Sequence, residues 1–277
     1  MSIDLLVSLS TFAAVIAGII LYRRKLKRDG HETYERVESQ GSSKLVSKYI
    51  MEMGYWWFQA PGELLYKKNV TPNQISWSSL VIGFLAGLFI ALGYFGIGAV
   101  LLFASAILDA LDGYVARRMQ RFSPSGEILD SSLDRYVDFF FFAGLLIYYR
   151  DSVTLMSITL LAMLGSFMIS YSSAKAEAMN ITPPRGSMKR SDRLVYLIAG
   201  GIIASFSVAF FESSDTESPL GIPMVIVLIL IAILANTSAI QRLKALAVTA
   251  EKDLAEAKKQ ENDKMVDAEL SPNKSQM

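Results

Sequence analysis

The chain has 277 residues, of which 52% are hydrophobic and 19% charged, a formal net charge of +1 and no cysteine. Such a composition is too apolar for an ordinary soluble domain, and it lacks the basic excess of a nucleic-acid-binding face, so no nucleic-acid partner is expected. The missing cysteine excludes disulfides and thiolate metal sites.

What remains is an all-α, polytopic integral membrane protein whose first partner is the lipid bilayer. Runs long enough to cross a hydrocarbon core of about 30 Å, roughly 20 residues of helix, recur along most of the chain. The first, Leu5 to Tyr22, is followed at once by basic residues from Arg23 to Arg28. Charge placed after the apolar stretch, with no small-residue cleavage site, predicts a retained transmembrane helix in residues 1–30 rather than a signal peptide. Residues 31–70 read as an interfacial amphipathic segment, because Tyr55, Trp56, Trp57 and Tyr66 gather beside Lys67 and Lys68.

Six further runs follow, near Gln74 to Leu92, Ile97 to Arg117, Ile128 to Tyr149, Val153 to Ala174, Leu194 to Phe211 and Gly221 to Ile240. They predict a bundle of six core transmembrane helices in residues 71–246. The remaining 247–277 form a charged cytoplasmic tail, expected as a short helical extension that frays. The connectors holding Lys67 and Lys68, Arg117 to Arg121, Lys175 to Arg193, and Arg242 and Lys244 are basic. Those at Gly93 to Gly96, Arg150 and Asp151, and Glu212 to Glu217 are neutral or acidic. Under the positive-inside rule this alternation predicts seven transmembrane helices, a multi-pass protein with its N-terminus outside and its C-terminus in the cytoplasm.

The second and third core runs hold five aspartates, Asp109, Asp112, Asp130, Asp134 and Asp138. Asp109 lies about 18 Å along its helix from the outer end, still within hydrocarbon. Asp109 and Asp112 are three apart and Asp130 and Asp134 four apart, so each pair shares a helix face. The joining loop is short, which makes the helices antiparallel neighbours whose acidic faces converge. Four carboxylates meeting in a low-dielectric space repel one another unless a hard cation neutralises them. Two Mg²⁺ or Mn²⁺ ions, about 4 Å apart, suit ligands drawn from two helices. Gly113 and Ala116 leave room on the same side for a flat group such as a nucleotide base. Arg117 can reach a phosphate oxygen from the cytoplasmic edge.

The sequence Asp109-x-x-Asp112-Gly113-x-x-Ala116-Arg117, eight residues, Gly126, three residues, Asp130, three residues, Asp134 resembles the complete signature of the CDP-alcohol phosphotransferases, also called CDP-alcohol phosphatidyltransferases. The resemblance covers roughly Tyr55 to Leu246. It implies a metal-dependent transferase of phospholipid biosynthesis that moves the phosphatidyl group of CDP-diacylglycerol to a small polar alcohol and releases CMP. It further implies that Asp109, Asp112, Asp130 and Asp134 hold two divalent ions, that Asp134 is the catalytic base, and that the protein is a homodimer. Pro72, Asn73, Gly113, Ala116, Arg117, Ser123 and Gly126 match positions of the CDP-lipid site. The segments beginning at Ser170 and Arg185 resemble those of the phosphatidylinositol-phosphate and phosphatidylglycerolphosphate synthase branch. By that likeness Ser170, Lys175, Arg190 and Arg193 bind the acceptor, with Arg190 and Arg193 clamping a phosphate. Lys175 stands where the branch commonly has arginine. Asp138 is expected to support the ligands or to pair with Arg135. Two alternatives stay open, a CDP-choline or CDP-ethanolamine type of transfer to diacylglycerol and, from another class, an ion-coupled transporter.

Overall fold

A computed structural model describes residues 2–30, 34, 37, 47–120, 123–182, 186, 188–210 and 220–270, the side chains of 257 and 266–270 excepted. Among them the regular structure is entirely helical: α1 (Ile3–Asp29), α2 (Lys48–Lys67), α3 (Pro72–Ala91), α4 (Phe95–Arg118), α5 (Pro124–Tyr148), α6 (Val153–Ala178), α7 (Arg190–Phe210) and α8 (Ile222–Leu270). Helix α2 falls in the expected interfacial segment, whose earlier part, residues 34, 37 and 47 excepted, lies outside the described residues, as do Arg121, Arg185 and the connector at 212–217.

Six of the eight helices are long and apolar enough to cross a membrane: α1, α3, α4, α6, α7 and α8. The sequence predicts a seventh span where α5 lies. Every 18-residue stretch of α5 contains Asp134, Arg135 and Asp138, so it fails a test of composition alone. Its neighbours explain how it is accommodated: α5 packs along α3 and also against α6, with Phe141, Phe142 and Leu145 fully buried. The polar side chains are taken up by protein rather than by lipid.

The helix starts follow from local chemistry. Thr71 and Gln74 form a reciprocal capping box with Pro72 in the first turn of α3. Ser123 caps α5 through the Gly126 amide at 3.0 Å, again followed by proline. Helix α4 has no cap of its own. The buried carboxylate of Asp4, on α1, accepts the amides of Gly96 at 3.0 Å and Ile97 at 2.7 Å instead. It thereby satisfies orphan donors at the positive end of a helix more than ninety residues away. The Ser205 hydroxyl of α7 donates to Ser8 at 2.7 Å. Helix α1 therefore packs on α4 and α7 at the end of the bundle opposite the acidic residues.

Small residues set the closest approaches, as expected where lipid gives helices little apolar reason to associate. Gly87 of α3 and Gly144 of α5 face each other, and a Cβ on either would overlap the backbone of the partner helix. This contact draws the C-terminal half of α5, beyond its acids, against the end of α3. The main core then runs from α3 and α5 through α6 to α7 and α8, around Phe95, Phe141, Leu145, Leu197, Met224 and Leu228. A smaller cluster, Ile75, Leu111 and Val115, joins the starts of α3 and α2's partner surface to the end of α4.

Candidate active site

The acidic site lies where the C-terminal part of α4 meets the N-terminal part of α5. One oxygen from each of Asp109, Asp112 and Asp130 falls within 4.8 Å of the others. Asp112 is the most buried, at 6% exposure, and its Oδ2 accepts the Ser76 hydroxyl of α3 at 2.7 Å. The Ser76 hydroxyl also lies 3.1 Å from the Pro72 carbonyl one turn earlier, so its single proton is shared between that carbonyl and Asp112 at the capped start of α3. Three carboxylates gathered this closely form a donor set for a hard divalent cation.

Asp134 lies beside the triad and is turned elsewhere. Its carboxylate pairs with Nη1 of Arg190 at 2.5 Å, and the same nitrogen stands 3.4 Å from Asp109. Arg190 is the first residue of α7, so a third helix closes the site from the side. Its Nε is buried with no hydrogen-bond partner.

One turn deeper lies a second pair of the same kind. Asp138 is 5% exposed and Arg193 2% exposed, and they meet at 3.1 Å. Of the two expectations for Asp138, pairing with Arg135 is corrected here: Asp138 meets Arg193, and Arg135 donates to the Ser131 carbonyl of its own helix. Arg193 is held inside the protein by Asp138, whereas the clamp read from the sequence places it beside Arg190 on the acceptor.

The residues expected around CDP divide into two groups. Gly113 lies under the Arg117 guanidinium, from which a Cβ at that position would be 3.3 Å away, and Ala116 is half-buried on the same helix. Asn73 approaches Gly126, 3.8 Å from a Cβ placed there, next to the Ser123 hydroxyl. Pro72 is half-buried at the start of α3. In the chain, Gly113, Ala116 and Arg117 follow Asp112 on α4, and Ser123 and Gly126 precede Asp130 at the start of α5. Of the acceptor candidates, Arg190 reaches the acids, Ser170 donates only to the Ser166 carbonyl of its own helix at 3.5 Å, and Lys175 is exposed in the last turn of α6.

Two participants escape sequence reading. Ser76 stands one turn into α3 in an unremarkable apolar run, and only its register with Pro72 hints at an inward face. Arg242 on α8 reads from the sequence as an ordinary positive-inside charge, yet it is 8% exposed. Its Nη2 donates to the Met188 carbonyl at 3.0 Å and its Nη1 to the Ser173 hydroxyl at 3.2 Å.

Helix α2 covers the neighbouring surface. Glu63 accepts the Tyr114 hydroxyl at 3.1 Å and Nε of Arg118 at 2.8 Å, and Arg118 lies over the Tyr66 ring. Gly62 lets α2 settle on the Tyr114 ring. The interfacial helix is thereby tied to the helix that carries Asp109 and Asp112.

A family model described as CDP-alcohol phosphatidyltransferase matches residues 69–250. Among curated proteins the chain is 44% identical over 108 residues to a bifunctional IPC transferase and DIPP synthase of Aquifex aeolicus, a match covering 38% of this chain and 24% of that protein. It is 29% identical over 155 residues to the archaetidylinositol phosphate synthase of Pyrococcus horikoshii, covering 54% of this chain and 79% of the relative. The phosphatidylinositol phosphate synthase of Mycobacterium tuberculosis, solved in complex with manganese and citrate, superposes with a TM-score of 0.60 at 24% identity, over 68% of this chain and 88% of that one. That likeness shows the fold. The chain thus spans about a quarter of the bifunctional relative's length and most of the length of the other two.

Proposed function

Because the chain belongs to the CDP-alcohol phosphatidyltransferase family, we propose that it moves the phosphatidyl group of CDP-diacylglycerol to a small polar alcohol, with release of CMP. The observation that carries this reading is the triad of Asp109, Asp112 and Asp130, three carboxylate oxygens within 4.8 Å of one another at one end of a lipid-embedded bundle. The Mycobacterium tuberculosis synthase has been solved with CDP-DAG bound as well as with manganese, which supports both the donor and the divalent ion.

The triad would hold Mg²⁺ or Mn²⁺, and a bound ion would neutralise diphosphate charge as the phosphorus becomes crowded. The chain's own residues supply the rest. Arg117, folded over Gly113, meets the outward side of the diphosphate, while Asn73, Ser123 and Gly126 border the nucleotide. Asp134 takes the proton of the acceptor hydroxyl. The alcohol oxygen then bonds to the β-phosphorus, the bond from that phosphorus to the CMP oxygen breaks, and the proton stays on the Asp134 carboxylate until water receives it. Arg190 touches Asp134 and keeps its buried Nε unused, which suits a donor that gives up one anion and accepts another from a phosphorylated alcohol. Relatives named archaetidylinositol phosphate and phosphatidylinositol phosphate synthases support an inositol phosphate as the first acceptor to try.

The same reading places the active site on the cytoplasmic side, with the N-terminus outside, from the alternation of basic connectors. It takes residues 71–246 as the catalytic core, with 1–30, 31–70 and 247–277 as additions, and the assembly as a homodimer. A transporter is disfavoured by position. Among the described residues, the buried acid at the opposite end of the bundle is Asp4, whose oxygens are both engaged with backbone amides.

The test is CMP release by purified protein supplied with CDP-diacylglycerol, Mn²⁺ or Mg²⁺ and a panel of polyols and polyol phosphates, with the lipid product identified. Metal-dependent release with at least one acceptor is expected. Turnover only with CDP-choline and diacylglycerol would replace this reading by the other transfer.

A further inference from the structure

The residues proposed to border CDP come from two different helix ends, Pro72 and Asn73 from the start of α3 and Gly113, Ala116 and Arg117 from the last turns of α4. Ile75, Leu111 and Val115 pack these ends together from within. A second connection runs outside them, through α2.

Glu63 of α2 reaches α4 with one oxygen. Its Oε1 accepts the Tyr114 hydroxyl at 3.1 Å and Nε of Arg118 at 2.8 Å, and these two residues lie one turn apart. Tyr114 directly follows Gly113, and Arg118 directly follows Arg117. Consecutive helical residues point about 100° apart, so a clasp on Tyr114 and Arg118 also sets the angle of the face that carries Gly113 and Arg117. Gly62 seats α2 on the Tyr114 ring, where a Cβ would overlap it, and Arg118 stands 5.5 Å from the centre of the Tyr66 ring.

From Glu63 to α3 the chain is held throughout. The Lys68 amide donates to the Leu64 carbonyl at 3.1 Å, that of Asn69 to Tyr66 at 3.0 Å and that of Val70 to Leu65 at 3.1 Å. Asn69 adopts a left-handed φ of 55°, which closes α2, and Thr71 opens α3 at once with its capping box. On the other side of Glu63, Pro61 lacks the amide that would bond one turn back. It separates the part of α2 that α1 holds at Trp57 from the part that meets α4. The side chains of Glu63 and Arg118 are 32% and 57% exposed, and an ion pair so open adds little to stability. It joins the ends of two helices instead.

We infer that Glu63 is a positioning residue for the donor: by clasping Tyr114 and Arg118 it sets the gap between the start of α3 and the end of α4 that receives the cytidine diphosphate. This rests on the transferase reading above.

The experiment uses the full chain in detergent with CDP-diacylglycerol, Mn²⁺ and an inositol phosphate as acceptor probe, comparing Glu63→Ala, Glu63→Gln and Tyr114→Phe. Glu63→Ala is expected to raise the donor KM by about five- to tenfold while the acceptor KM and the melting midpoint hold. Glu63→Gln keeps an oxygen for both donors and should recover part of that loss, and Tyr114→Phe should show a smaller rise in the same direction. Adding Arg118→Gln to Glu63→Ala should cost no more than Glu63→Ala alone, because both remove one clasp. A donor KM unchanged in Glu63→Ala, or an acceptor KM that moves as much, would overturn the inference. Should Glu63→Ala fail to fold, Glu63→Gln and Tyr114→Phe carry the same comparison. If the wild-type protein released no CMP with any acceptor, the transferase reading would fall, and calorimetric titration with CDP and Mn²⁺ would decide on Glu63. Weaker CDP binding by Glu63→Ala than by the wild type would support the clasp, and equal affinity, or no binding by either, would refute it.

Discussion

Helices α5 and α7 are joined by two aspartate–arginine pairs one turn apart, and the two differ in almost everything but chemistry. Asp138 and Arg193 are 7% and 2% exposed at their side chains and, among the described residues, pair only with each other. Asp134 and Arg190 are 18% and 28% exposed, and Arg190 is shared with Asp109. A sealed pair cannot exchange partners without leaving a bare charge in a low dielectric, so the inner pair fixes how α7 sits on α5. A half-open pair beside other acids can exchange at modest cost. The same kind of ion pair therefore serves as a joint at one level and, in the proposed transfer, as reactive equipment at the next.

The largest effect that would break this comparison is on turnover. Asp134→Asn should lower kcat by about 10²- to 10⁴-fold with the thermal midpoint little changed, measured as CMP release and by melting in detergent. Asp138→Asn should do the reverse, lowering stability by about 3–5 kcal/mol because Arg193 is left unpaired, seen as a fall in the melting midpoint. If Asp138→Asn melted like the wild type, the inner pair would not be a joint. Replacing both partners at once, Asp138→Leu with Arg193→Met, should recover most of that stability, since an apolar pair of similar volume avoids burying charge.

Metal gives a smaller and sharper test. Mn²⁺ at 100 times its Kd should stabilise the protein by about 2.7 kcal/mol, and chelation should remove both this and the activity. Asp112→Asn should abolish the shift and Asp138→Asn should retain it. The smallest effect expected is Ser76→Ala, which frees the Asp112 carboxylate of its hydroxyl donor. It should weaken Mn²⁺ binding by about tenfold, read by titration calorimetry.

The sequence makes the triad legible because its order is local: Asp109 and Asp112, then Asp130 and Asp134, share faces by helical spacing alone, and proline after Thr71 and Ser123 marks where the supporting helices begin. Helix α2 is legible through its aromatic and basic residues. The partners of the acids are not, because each depends on which face of a distant helix arrives. Ser76 is 36 residues from Asp112, and Arg193 is 55 from Asp138. Arg135, adjacent to Asp134 in sequence, is the more obvious partner for Asp138, and only the crossing of α5 with α7 decides for Arg193. Composition also misjudges α5, since its acids lower an apolar score that burial against α3 and α6 makes irrelevant. Asp4 could not be read as a cap for α4 from a first helix that resembles a plain anchor.

That first helix has a consequence for depth. It is tied at one end to α4 through Asp4 and to α7 through Ser8, and toward its other end Gly18 lies against Trp57 while Tyr22 stacks near Trp56 of α2. With 27 residues it is about 40 Å long. A rod of fixed length thus runs from the far rim of the bundle to α2, the helix tied to Tyr114 and Arg118 near the end of α4. The height of α2 is set by an internal ruler, and bilayers of different thickness would meet the same distance between that helix and the far rim of the bundle.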